Sequence, residues 1–336
     1  TNKRKNMNKM KKIGLSALAG SLAAFSANAV EMTVTGVAEV TYSTLDSKQL
    51  ATTATASVNA GNPMGSNTSL TFKGSGDVGF GTATIVRTMN DGFATALSAY
   101  QTLDMGDLGT VSFDGLGGGL EGVTAFDDML PTAYEEVWNG LSAAGVTGAA
   151  SNDTLGYSNT FGPVSVSLAH TKGGTANSGD GNIAAESGNS ITDVHVTLDA
   201  SMIGLEGLQI MAGTSTEDER NASTDTVNNV GHILYSTGPV SVGYRAAEFN
   251  PGSLNASDGT GNTIEAYSIA FAVNDELSIS YASQETDYDV VSNTLTVTEE
   301  VTAINASYTV GAASIRTTLS ESDNDGGVTG TDLEMM

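Results

Sequence analysis

The chain contains no cysteine among its 336 residues. That excludes a disulfide framework, thiol catalysis and thiolate metal sites together. Proline is scarce, 5 residues against 40 glycines. A Pro-poor, Gly-rich composition arranged in alternating strands argues for a turn-rich all-β fold rather than disorder. Long apolar runs are also missing. Beyond residue 29 nothing approaches the roughly eighteen consecutive apolar residues of a transmembrane helix. His170, His195 and His232 sit in separate strand candidates without metal-ligand spacing, and no G-x-S-x-G nucleophile motif is present. No enzyme activity is expected.

Basic residues are few, 13 Lys and Arg against 38 Asp and Glu. Lys3, Arg4, Lys5, Lys9, Lys11 and Lys12 precede residue 30, where no acid occurs, so the remainder carries seven basic residues and a formal charge of −31. So large an acidic excess excludes nucleic-acid binding, which needs Lys and Arg to neutralise phosphates. It suits a surface that meets water, divalent cations or cationic solutes.

The first 29 residues form a separate object. Lys9, Lys11 and Lys12 make a basic region, Ile13 to Phe25 an apolar core, and Ala27-Asn28-Ala29 an A-x-A cleavage site before Val30. This pattern predicts a signal peptide and export through the Sec pathway. Residues Thr1–Asn6 precede the first methionine, so the start is expected at Met7 or Met10.

What is present from residue 30 onward is one repeated design, and it predicts a single domain. Thr154 to His170 reads as two alternating strands about Gly162-Pro163, and Val230 to Ala246 repeats this about Gly238-Pro239. Further copies turn at Asn274-Asp275 and Gly311. The period-two template gives about sixteen strand candidates, many near the ~9–11 residues that a tilted strand needs to cross a bilayer. Their connections sort by parity. One set is tiny, such as 162–163, 238–239 and 274–275; the other is long and polar, such as 45–67, 114–152 and 172–190. Outer-membrane barrels show this asymmetry, with short periplasmic turns and longer extracellular loops.

The strand faces agree. In 32–42, Met32, Val34, Gly36, Ala38, Val40 and Tyr42 alternate with Thr33, Thr35, Val37, Glu39 and Thr41. A soluble barrel needs an apolar interior, whereas these polar faces fit a water-filled lumen and the apolar faces fit lipid. Glu39 is therefore expected to face the lumen. Tyrosines on or near strands, among them Tyr100, Tyr244, Tyr267, Tyr281 and Tyr308, are candidates for an interfacial girdle.

The opening strand VEMTVTGVAEVTYS, the segment SLTFKGSGDVGFGTATIVRT at 69–88 and the hairpins above resemble Gram-negative general diffusion porins. The resemblance spans residues 30–336. It implies a sixteen-stranded, trimeric outer-membrane barrel for passive diffusion of small hydrophilic solutes, whose third long loop folds into the pore. That loop is 114–152, and the resemblance makes Asp127, Asp128, Glu135 and Glu136 the acidic side of the constriction. The basic ladder expected opposite is thin. Lys73 and Arg87 lie on early strands, with Lys48 on the first loop and Arg245 and Arg316 later. Facing lipid mid-membrane costs Arg or Lys ~2–4 kcal/mol, so Lys73, Arg87, Arg245 and Arg316 are expected to face the lumen or the rims. A thin basic wall opposite acids favours cations. The chain ends a few residues into its last strand, and family members finish that strand with an aromatic, so a truncated record is expected.

No cofactor is expected beyond weak Ca²⁺ binding by loop carboxylates at 178–182, 257–262 and 322–327, which lack EF-hand spacing and read chiefly as turns. The competing reading is an exported adhesin or surface-layer protein, since acidic Gly/Thr/Asn-rich β chains occur there too. An outer-membrane hydrolase barrel is a third. The turn parity and the period-two amphipathicity favour the pore.

Overall fold

The computed structural model describes residues 31–47, 63–90, 95–116, 122–138, 141, 144–146, 148, 153–172, 189–218, 224–252, 261–289, 298–327 and 332–335. The leader with Ala27, Ala29 and Val30, the loop residue Lys48 and the turn-rich stretches 178–182 and 257–260 lie outside the described residues.

Among the described residues, seventeen strands form one antiparallel sheet. They are β1 (Glu31–Tyr42), β2 (Leu45–Ser47), β3 (Met64–Asp77), β4 (Thr82–Asn90), β5 (Ala96–Asp104), β6 (Thr110–Asp114), β7 (Thr154–Phe161), β8 (Val164–Thr171) and β9 (Ser190–Asp199). Then follow β10 (Leu208–Asp218), β11 (Thr226–Thr237), β12 (Val240–Asn250), β13 (Asn262–Ala272), β14 (Leu277–Tyr288), β15 (Glu299–Val310), β16 (Ala313–Asp323) and β17 (Leu333–Met335). From β3 onward each strand pairs with the next, and β1 pairs with β3 along its length, from Glu31↔Ser75 to Tyr42↔Met64. β17 pairs with β2, which follows β1 after two residues, so the ladder returns to its start as a barrel. Over most of the remaining length β1 and β16 are not paired among the described residues. A slot of about 730 Å³ lies between Val37–Ser43 and Ala312–Thr318.

The tight hairpins follow from their turn residues. Gly162, Gly238 and Gly311 have φ of 61°, 55° and 60°, a left-handed conformation that glycine adopts without a Cβ clash. At two of them proline follows with its fixed negative φ, matching a two-residue turn that keeps the strand twist. On the inner face just beyond each turn a hydroxyl pair bridges the strands: Thr160–Ser165 at 2.9 Å, Ser236–Ser241 at 2.9 Å and Thr309–Ser314 at 2.8 Å.

Burial is inverted relative to a soluble barrel. Apolar side chains such as Val40, Ile85, Leu155, Ile233, Ile304 and Ile315 are exposed, while Arg245, His232, Gln284, Glu299 and Asn305 are wholly buried. Register assigns the faces. Thr33, Lys73, Val86, Tyr100 and Asp114 stand opposite one another on the inner face, and Val34, Phe72, Arg87 and Ala99 on the outer. Tyr235, Tyr244, Tyr267, Tyr281 and Tyr308 are exposed outside, but Tyr100 lies on the inner face and takes no part in a girdle. Toward the long-loop end the outer face turns acidic. Glu265, Glu285, Glu300 and Asp323 lie directly opposite one another across β13 to β16.

Candidate functional site

The longest connection, between β6 and β7, does not leave the barrel. It enters beside Asp114, whose carboxylate accepts from Leu116 N at 3.1 Å. It then forms a 3-10 helix, Val123–Met129. With three residues per turn, side chains three apart share one edge, and Val123 and Phe126 both point into the wall at 0% exposure. They pack with Val146 of the returning limb, Met211 on β10 and Val230 on β11. Gly213 on β10 makes the approach possible: a Cβ there would lie 2.7 Å from Val123 Cγ1 and 3.3 Å from Phe126 Cε2. Gly243 on β12 does the same for Pro131 and Leu130, at 2.6 and 2.9 Å. His195 meets the Phe126 ring edge-on at 5.6 Å.

One arginine fastens this helix. Arg245 on β12 is wholly buried and donates through Nη1 to Phe126 O (3.1 Å), Asp127 O (3.0 Å) and Asp127 Oδ1 (2.8 Å). Its Nη2 donates to Gln284 Oε1 on β14 at 2.7 Å. Gln284 in turn donates to Ala144 O at 2.8 Å, and the Asp127 carboxylate accepts from Val146 N at 2.7 and 2.9 Å. The outgoing limb, the returning limb and two wall strands thus meet at one buried ion pair. Trp138 covers it, its ring centroid 5.4 Å from the guanidinium carbon. On β9, Asp193 accepts from Val123 N at 3.1 Å and holds the start of the helix.

Beyond Pro131 the loop continues along the wall to β14 and β15. Ala133 N donates to Ser280 Oγ on β14 at 2.8 Å. Glu135 exchanges backbone bonds with the Asn305 amide on β15, at 3.4 and 3.2 Å. Val137 is buried against Ala282, Val301 and Ala303. Tyr134 then reaches the slot: its hydroxyl donates to Glu39 on β1 at 3.4 Å, and Arg316 on β16 stands over its ring at 5.3 Å. Burial and the nearby Glu135 and Glu39 carboxylates push the Tyr134 phenol up to about 12.

Of the four loop acids, Asp127 and Asp128 sit on the 3-10 helix with Glu136 beside Asp128, whereas Glu135 lies by Tyr134 and Asn305. Burial pushes Asp127 up to about 6 against the pull of Arg245. Asp128 is raised by burial and by its hydrogen bond and charge repulsion with Glu136. Glu39 is on the inner face, as its strand pattern predicts. Lys73 and Arg316 also lie there. Two expectations are corrected. Arg87 is not on the inner face: it stands opposite Phe72 and Ala99 on the outer one, because the inner position of the Ile85-Val86-Arg87 run is taken by buried Val86. Arg245 is on the inner face but forms no open wall, since the loop covers it. Gln284, Asn305, Asp193, Gly213 and Gly243 escape sequence reasoning. Only the polar parity of their strands signals them.

A model of Gram-negative porins matches residues 14–335, nearly the whole chain. The chain belongs to the Gram-negative porin family. Its fold matches a porin refined at 1.8 Å resolution (13% identity, TM-score 0.65, 91% of this chain and 98% of that one). It also matches the anion-selective porin of Comamonas acidovorans (12%, TM-score 0.63, 91% and 97%) and Salmonella typhi OmpF in complex with daunomycin (11%, TM-score 0.63, 92% and 96%). Comparison with the curated proteins finds no match. This porin is an outer-membrane barrel channel for passive diffusion. Porin architecture also explains why its polar side chains are buried and its apolar ones exposed.

Proposed function

We propose that this porin prefers cations, with the docked loop as its constriction and Asp127, Asp128, Glu135 and Glu136, joined by Glu39, as the charges that select. One observation carries the reading: Arg245, the cation nearest the loop acids, is wholly buried and paired with Asp127. Among the described strands Lys73 and Arg316 are then the other inner-face cations, and Arg316 is occupied over Tyr134. Carboxylates therefore outweigh cations along the passage, and acidic linings attract cations. Fold does not decide selectivity, since one structural neighbour is an anion-selective porin. The test is the reversal potential of refolded protein in a planar bilayer under a KCl gradient. A potential of cation sign is expected, and one of anion sign would overturn the assignment.

The functional unit proposed is a homotrimer in outer-membrane lipid, exported by the Sec pathway. Arg87 supports the subunit contact. Lipid exposure on the outer face would cost this cation up to ~2–4 kcal/mol, and a neighbouring subunit over β3 to β5 removes that cost. Cross-linking in detergent is expected to capture three copies, and Arg87→Leu to leave the barrel folded while weakening the trimer.

A further inference from the structure

Beneath the docked helix, toward the short turns, the inner wall from β6 to β11 encloses a cavity of about 610 Å³. This lies within the ~300–1,000 Å³ range of small-molecule sites. One side is a hydrogen-bonding array: Ser158 and Thr160 on β7, Thr197 on β9 and Gln209 on β10. The other is apolar, with Met129 from the loop and Met211 and Leu234 from the wall. The ionisable groups on its lining are Asp107, on the turn at its rim, and His195, buried beside Phe126. The inner-face acids of these strands lie elsewhere. Asp114, Asp193 and Glu217 occupy the long-loop half of their strands, with Asp193 engaged by Val123. Asp199, opposite Gln209 at the short-turn end, is off the lining and caps the next turn by accepting from Ser201 N at 3.0 Å. On β14 and β15 the equivalent polar groups are taken: Ser280 by Ala133 and Asn305 by Glu135. Under the helix a polar array faces open space beside an apolar surface.

We propose that this cavity is a subsite for a neutral polyhydroxylated solute of about disaccharide size, an inference that rests on the channel reading above. A cation gains little from a lining whose one carboxylate, Asp107, sits on the turn at its rim. A polyol exchanges water for fixed hydroxyl and amide partners and lays its C–H face on Met129, Met211 and Leu234, where thioether and aliphatic groups adapt to its outline. The subsite lies on the short-turn side of the constriction, so solute from that side reaches it without passing the loop. The channel thus combines a charged constriction that selects ions with a neutral shelf that holds uncharged solutes in transit.

The test is single-channel current in a planar bilayer with protein inserted in one orientation, using maltose as probe and a polyethylene glycol of equal hydrodynamic size as control. Maltose is expected to interrupt the current at concentrations where the polymer only lowers it smoothly, and more effectively from the short-turn side. Gln209→Ala should raise the half-blocking concentration about fivefold, the effect of one lost hydrogen bond. Ser307→Ala, on the inner face of β15 away from the cavity, should leave the block as in the parent. Maltose acting no differently from the polymer, equal block from both sides, or an unchanged block in Gln209→Ala would each overturn the subsite while the ion current stands. Absence of any current from folded protein would defeat the channel reading and the subsite with it.

Discussion

Asp127 holds the loop to itself and to the wall, so its charge state reaches the passage directly. Burial outweighs Arg245 and pushes its carboxyl up to about 6. Between pH 7 and 5 it therefore loses its charge, and the buried Arg245 is left uncompensated beside the constriction. Cation preference, read as reversal potential, should fall over this interval with a midpoint near 6, and Asp127→Asn should show the lower preference already at pH 7. The ion pair itself is tested by a double-mutant cycle. Arg245→Met strands a buried carboxylate and should release the loop, giving larger and noisier single-channel currents. Breaking a buried pair from one side costs about 3–5 kcal/mol, whereas replacing both partners is often near neutral. Arg245→Met combined with Asp127→Asn should accordingly regain quiet currents. At this scale the sequence was readable in part. Glu39 and Arg245 sit on the faces that alternation assigns them, and so does Arg87, which shares the outer face with Ala83, Ile85 and Met89. The expectation of an inward Arg87 rests on the cost of lipid exposure, which parity here overrides. The burial of Arg245 beneath the loop is a contact between positions 118 apart, and no local pattern announces it.

At the scale of elements, the hairpins were legible because their turn chemistry is local: a positive-φ glycine, often followed by proline, between alternating runs fixes both turn and register. The loop's seat was not, because it depends on absences in other strands. Gly213 has no side chain where Val123 and Phe126 arrive, and within β10 this glycine has no turn to mark it. Gly213→Val should displace the 3-10 helix and change the open-channel conductance while heat-modifiable migration still reports a folded barrel. Unchanged conductance would mean that the helix seat does not set the constriction. The acidic row Glu265, Glu285, Glu300 and Asp323 makes a separate prediction. Like charges directly opposite one another destabilise a sheet by up to ~1 kcal/mol a pair. Glu285→Gln should therefore raise the thermal midpoint at low ionic strength, and the gain should shrink as salt screens the row.

For the whole molecule, the fold is that of a family whose members differ in the ions they pass, and the inner surface decides the difference. Here the charge balance is set less by how many cations the lining carries than by how they are used: Arg245 is spent on docking the loop, Arg316 stands over Tyr134, and Arg87 faces outward. In the reading proposed above, the carboxylates of Asp128, Glu135, Glu136 and Glu39 are left to act on the passage. The measurement that bears most directly on this account is the zero-current potential of the reconstituted channel across a tenfold KCl gradient at pH 7, compared with the Asp128→Asn/Glu136→Gln variant. The parent should show a potential of cation sign and the variant one clearly closer to zero. An anion-selective parent, or a variant indistinguishable from it, would contradict the account.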